Sequence, residues 1–138
     1  MRNLLIYAAF GLCFAGVVHA DTAAYQAKQL AKYERYAGAP IDEFGMTSLY
    51  QWQVVGRQNV VAWPTINKAY LITVDKPCTR LQWTNALGIS QEMSMKVTKK
   101  FDAVMFDHQR CPITKIQPID YKALRSDDEK AAASKTKP

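Results

Sequence analysis

The sequence is poor in the residues on which chemistry usually draws. Among 138 residues there are two histidines, His19 and His108, and three cysteines, Cys13, Cys78 and Cys111. A zinc site needs three or four ligands at recurring spacings, and no such set is present, so no metal is expected. Neither Ser48 nor Ser90 lies in a Gly-x-Ser-x-Gly stretch, which removes the nucleophile elbow of serine hydrolases. No glycine-rich loop follows a strand to cradle a phosphate, and no cofactor is expected. Internal repeats are absent too.

Long hydrophobic runs are equally scarce. The longest, Leu4 to Val18, follows Arg2 and leads to Val18-His19-Ala20, with small residues at the −3 and −1 positions before Asp21. That is the pattern of a secretory signal peptide over residues 1–20. The run falls short of the roughly 20 residues that a membrane span needs, so no transmembrane segment is expected after cleavage. Leu12 is not the small residue that lipidation of Cys13 would require. The expected location is periplasmic or secreted.

Removing the leader leaves 118 of 138 residues, enough for one domain with a modest core. It also leaves Cys78 and Cys111 in an oxidising compartment, where an even count is most simply a disulfide. The net charge of +6 falls to +5 with the loss of Arg2. Such a charge attracts anionic surfaces at long range, but it is also ordinary for exported proteins that bind nothing acidic.

What the chain does have is alternation. Tyr50, Trp52 and Val54 fall on one face of an extended segment, and Gln51 and Gln53 on the other. After Gly56-Arg57-Gln58-Asn59 comes Val60-Val61-Ala62-Trp63, closed by Pro64, and then Ala69 to Val74, stopped by Asp75-Lys76-Pro77. These are three strands. Leu81 with Trp83 suggests a fourth, Met93-Met95-Val97 a fifth, Phe101 to Phe106 a sixth and Ile113 to Ile116 a last, before Pro118 ends strand character.

Good helix formers over Asp21 to Ala37 predict an N-terminal helix, ended by Gly38 and Pro40. The polar Ala/Lys-rich end, residues 126–138, has no large apolar residue and is expected to be a disordered tail. The organisation is therefore a leader over 1–20, a helix or spacer over 21–40, a β-rich domain over 41–125 and the tail. The fold expected is mainly β, a small antiparallel barrel or curved sheet of six to seven strands.

Three stretches carry a resemblance: Trp52-Gln53-Val54-Val55-Gly56; Ala69-Tyr70-Leu71 leading to Pro77-Cys78; and Phe101-Asp102 through Arg110-Cys111 to Ile119-Asp120-Tyr121. Over residues 41–125 the chain resembles an uncharacterised family of small exported bacterial β-rich proteins, a domain of unknown function. The resemblance implies an exported β module with paired cysteines and supplies no catalytic or binding residue.

Three groups of residues are candidates for function. Trp52, Trp63 and Trp83, with Tyr50 and Tyr70, are the candidates for an aromatic face that stacks on a ligand, but Trp52, Trp63 and Tyr70 share the apolar phase of their strands, so core packing is the expected role. Lys96, Lys100 and Arg110, with Lys99 and Lys115, put positive charge on the later strands, where a polyanion or membrane surface would dock, although Asp102 and Asp107 dilute it. Asp102, Asp107 and His108 are the only residues from which a small hydrolase could be assembled, and Asp102 and Asp107 point to opposite faces of a regular strand. The expected function is an exported, non-enzymatic binding or envelope-associated module whose partner is unknown, an envelope component or anionic surface rather than nucleic acid. The small hydrolase and the polyanion or membrane-surface binder are the alternatives.

Overall fold

From Val60 to Trp63 every side chain is apolar and every one is buried, and that unbroken run, rather than an alternation, decides the architecture. A strand with no polar face must be covered on both sides. Val60 and Ala62 enter one core, and Val61 and Trp63 enter another on the opposite face.

A computed structural model describes residues 18–76 and 78–136, with side chains from Thr22. The expected leader lies outside the described residues except for 18–20, which form the start of the first helix. The elements are α1 (Val18–Arg35), β1 (Glu43–Gly45), β2 (Gln51–Val54), β3 (Asn59–Thr65), β4 (Lys68–Val74), β5 (Gly88–Ile89), β6 (Lys96–Thr98), β7 (Ala103–Phe106), β8 (Gln109–Ile119) and α2 (Tyr121–Lys135). The fold is mainly β. Six antiparallel strands in the order β2-β3-β4-β8-β7-β5 make a curled half-barrel, and β1 pairs with β6 in a separate small sheet.

The larger core fills the curl. Ile72 and Val74 of β4, Val104 and Phe106 of β7 and Ile116 of β8 meet Phe44 and Val97 from the small sheet, and Phe44 stacks on Tyr70 at 4.1 Å. The smaller core lies under the two helices. Tyr33 of α1 and Tyr121 of α2 approach the Trp63 ring edge-on at 5.9 and 6.1 Å, and the Tyr33 hydroxyl donates to Gln53 at 2.8 Å. Burial pushes the Tyr33 phenol up to about 12, with smaller contributions from Tyr121, Tyr25 and Asp128.

Prolines mislead at three places. Pro64 does not close β3, which continues to Thr65 through a register shift between Ala62 and Thr65 that tolerates a missing N–H. Pro112 and Pro118 both lie inside β8, which pairs with β7 at its start and β4 over the rest. The Pro118 carbonyl accepts from Gly38 and the Pro112 carbonyl from Asp75, so each missing N–H faces a loop instead of a full ladder. The register shift opposite Thr73 and Val74 leaves Thr114 unpaired as a bulge, and it turns both Ile113 and Ile116 into the same core although they are three apart.

Other expectations are corrected. Leu81–Trp83 is a short 3₁₀ turn, not a strand. Met93 and Met95 do not alternate into a core: they are 51% and 61% exposed in a tight turn ahead of β6, with Met95 at a φ of 64°. Residues 126–138 are not a disordered tail as far as they are described, because α2 runs to Lys135 and crosses the expected boundary at 125. The absence of large apolar residues hid it. The Asp120 side chain caps α2 by accepting from the Ala123 N–H at 3.0 Å, Leu124 is buried, and the Ala-rich end has high helix propensity. Lys32 of α1 pairs with Asp128 at 2.7 Å, and the Tyr36 hydroxyl donates to Asp127 at 2.7 Å.

The disulfide is formed. Cys78, just beyond β4, is bonded to the buried Cys111 of β8 with the Cα atoms 6.0 Å apart. Closing a loop with a sequence separation of 33 contributes about 3 to 4 kcal/mol on the chain-entropy account.

Candidate functional site

The aromatic candidates do not share a face. Trp52 lies half-buried on β2 against the larger core, Trp63 is buried on the other side of the sheet, and Trp83 is 47% exposed in the 3₁₀ turn.

The hydrolase candidates do not meet either. Asp102 is only 2% exposed, and its carboxylate accepts from the Thr98 N–H at 2.7 Å, the Thr98 hydroxyl at 3.2 Å, the Ser90 hydroxyl at 3.0 Å and the Glu92 N–H at 2.8 Å. Burial pushes its pKa up, but the hydrogen bonds from Glu92, Thr98 and Ser90 outweigh it and hold the carboxyl below the usual range. The group ties the turn before β7 to the Ser90–Glu92 segment. Asp107 and His108 are the two-residue turn between β7 and β8, both exposed and both left-handed, at φ 46° and 60°. Along the strand this turn is roughly 16 Å from Asp102. No group of three His, Cys, Asp or Glu residues suited to a metal occurs among the described residues.

The later-strand cations are largely spoken for. Lys96 pairs with Glu43 at 2.7 Å, and Lys99 with Asp42 at 2.8 Å, a contact that holds the Asp42 carboxyl below its usual range. Arg110 lies 3.5 Å from Glu92 and donates to the Phe101 carbonyl at 2.8 Å. Lys100 sits 5.3 Å from the centre of the Phe101 ring.

A different set of cations does converge. Arg57 from the β2–β3 turn, Lys76 from the exit of β4 and Arg80 from the next turn line a half-open cleft of about 520 Å³, with Gln58, Thr79 and Gln82 completing its polar wall. Cys78 lines it too, so the disulfide fixes one wall to the sheet. Gln58 is held in turn: its amide donates to the Val74 carbonyl at 3.1 Å, and its own carbonyl accepts from the Val74 N–H. None of the ion pairs among the described residues involves Arg57, Lys76 or Arg80. Asp75, the neighbouring acid, accepts the Lys76 backbone N–H at 2.8 Å. Arg80 has a φ of 75°, a conformation that costs a non-glycine residue on the order of 1 kcal/mol. Three cations lining one cleft, with no ion pair among the described residues to any of them, have the charge that suits an anion.

Nothing in the spacing of 57, 76 and 80 announces this cluster. The one readable signal is Lys76-x-Cys78-x-Arg80, in which two cations flank a cysteine that the disulfide must anchor.

Residues 1–135 match the model of a family of unknown function (DUF6491), and the chain belongs to that family. The match is wider than the 41–125 resemblance read from the motifs, and the family carries no described activity. No curated protein and no solved structure matches the chain. Among the described residues no helix is long and apolar enough to cross a membrane.

Proposed function

We propose that this family member is an exported, non-enzymatic binding module that holds an anionic ligand between Arg57, Lys76 and Arg80. The observation that carries the reading is the convergence of three unpaired cations on one cleft. Export is supported by the leader pattern of residues 1–20 and by the disulfide, which persists in oxidising compartments. Binding without turnover is supported by the fate of the acidic candidates, since Asp102 is committed to holding a turn and Asp107 and His108 lie at the far end of β7. A polyanion docking on the later strands has less support, because Lys96, Lys99 and Arg110 would first have to leave their carboxylates.

The test is calorimetric titration of the purified protein with inorganic pyrophosphate, at low and at physiological ionic strength. Saturable binding that weakens with salt is expected, and replacing Arg57 and Arg80 together by Gln should abolish it. Equal binding by the double variant would overturn the reading. Intact mass of the protein from the envelope fraction should begin at Asp21.

A further inference from the structure

The cationic cleft does not end at its polar wall. Arg57, Gln58 and Gln82 also border a second depression, of about 240 Å³, that runs between α1 and the β2–β3 turn. Its lining changes character there: Ala23, Ala27 and Leu30 of α1 face Val55 and Gly56 across it. Ala23 and Ala27 are exposed and Leu30 half-exposed on this side of α1. Two contacts tie α1 to the opposite wall: the Gln26 amide donates to the Gln82 carbonyl at 2.9 Å, and Leu30 lies against Gly56, where an added Cβ would meet its Cδ2 at 3.8 Å. That hydrogen bond occupies the polar end of Gln26 and leaves a groove that is apolar along Ala23, Ala27 and Leu30, polar at Asn59, and joined through Arg57 to the cleft that Lys76 and Arg80 also line.

We propose that the ligand is a single-chain anionic amphiphile, its phosphate or carboxylate head between Arg57, Lys76 and Arg80 and its first methylenes along Ala23, Ala27 and Leu30. This rests on the anion-binding reading of the cleft and adds the ligand class. A free inorganic anion would use only the wider chamber, whereas an alkyl chain attached to it has the apolar side of α1 beside it. Charge complementarity fixes which end lies where. The head must sit at the Arg57 end, since no cation lines the α1 end of the groove.

The experiment compares inorganic phosphate with butyl, hexyl and octyl phosphate, each below its micelle-forming concentration, by calorimetric titration of the purified protein. Affinity should rise with chain length by up to about fourfold per added CH₂, equivalent to ~0.8 kcal/mol each. Ala27→Trp fills the groove from an exposed helical position, and it should flatten that dependence while leaving inorganic phosphate unchanged; Ala23→Trp should do the same. Octyl glucoside, with the same chain and no charge, should bind at least tenfold more weakly than octyl phosphate.

Phosphate binding with no dependence on chain length, or a dependence unaltered in folded Ala27→Trp and Ala23→Trp, would overturn the amphiphile and leave the anion site standing. Failure of every phosphate probe would overturn both. Octyl glucoside binding as well as octyl phosphate would overturn the charged-head assignment. Binding to phosphatidylglycerol vesicles but not to monomeric octyl phosphate would replace the groove by a membrane-surface contact and so defeat the proposal.

Discussion

Two basic regions of this protein look alike in the sequence and differ in the fold. Of the later-strand cations, Lys96, Lys99 and Arg110 each lie against an acid, Glu43, Asp42 and Glu92, and Lys100 sits over the Phe101 ring, while Lys115 is in no ion pair among the described residues. The cleft holds Arg57, Lys76 and Arg80, none of which takes part in an ion pair among the described residues. A paired surface cation is largely screened already and has little left to offer a ligand. An unpaired one keeps its field, and three in one walled cleft add theirs. Local charge density along the chain therefore does not tell paired cations from unpaired ones, because pairing is decided by strands and loops far apart in sequence.

The disulfide joins the two regions, since Cys78 lines the cleft and Cys111 lies on β8 among the later strands. Replacing both cysteines by Ser should have the largest effect of any change considered, a loss of about 2 to 5 kcal/mol in denaturant unfolding. Pyrophosphate affinity should also fall in the folded variant, because the Lys76–Arg80 wall loses its anchor. A variant as stable as the parent would show that sheet pairing alone fixes that wall.

Within the later-strand region the buried charge is Asp102, and no ion pair among the described residues involves it. Asp102→Asn keeps the size but turns one acceptor into a donor facing N–H and hydroxyl groups that need acceptors, so stability at neutral pH should drop by about 2 to 3 kcal/mol. The pH dependence follows from the lowered pKa. A carboxylate that ionises more easily folded than unfolded stabilises fully above its unfolded value of about 3.9, and the gain is lost as pH falls through the folded value. Parent stability should accordingly decline more steeply below about pH 4 than that of Asp102→Asn, as urea titrations over acidic pH would read. Parallel acid limbs would contradict the role given to this side chain.

Binding separates the regions at a smaller energy. Arg57→Gln alone should weaken pyrophosphate binding by roughly tenfold, about 1.4 kcal/mol, whereas Lys96→Gln with Lys99→Gln should change it less than about twofold. The opposite ranking would return the ligand to the later strands.

Legibility followed the same division. β4 and the cysteine pair could be read in advance because each rests on a local rule, a β-branched run or the even cysteine count that remains once the expected leader is set aside. Val60 to Trp63 was legible as a strand but not as the middle layer, since an apolar run looks the same whether one face or two are covered. Pro64, Pro112 and Pro118 misled because a missing N–H matters only where a neighbouring strand wants it, and that depends on pairing. Met93 and Met95 imitated strand alternation within a turn. The cleft was hidden for a related reason: its three cations come from two connections far apart in sequence, Arg57 from the β2–β3 turn and Lys76 and Arg80 from the segment after β4 that Cys78 anchors.

The end of the chain offers the smallest effect and the most direct check on α2. Its first half is fixed to the body by Leu124 in the smaller core and by Tyr121 against Trp63, whereas its second half meets α1 through side chains at the surface. Lys32 and Asp128 are 34% and 52% exposed, and an exposed pair of this kind is worth about 0.2 to 1 kcal/mol and is screened by salt. Asp128→Ala should lower stability by a few tenths of a kcal/mol in dilute buffer, and the difference should fade in molar salt. Truncation after Ser126 removes this contact and the Tyr36–Asp127 hydrogen bond together, so its cost should exceed that of Asp128→Ala yet stay below about 1.5 kcal/mol. Helical circular dichroism should fall with the truncation, because residues 127–135 are helical in the intact protein. An unchanged helical signal would mean that this half of α2 is not formed in solution, and a cost of several kcal/mol would mean that it is held by more than the two surface contacts to α1.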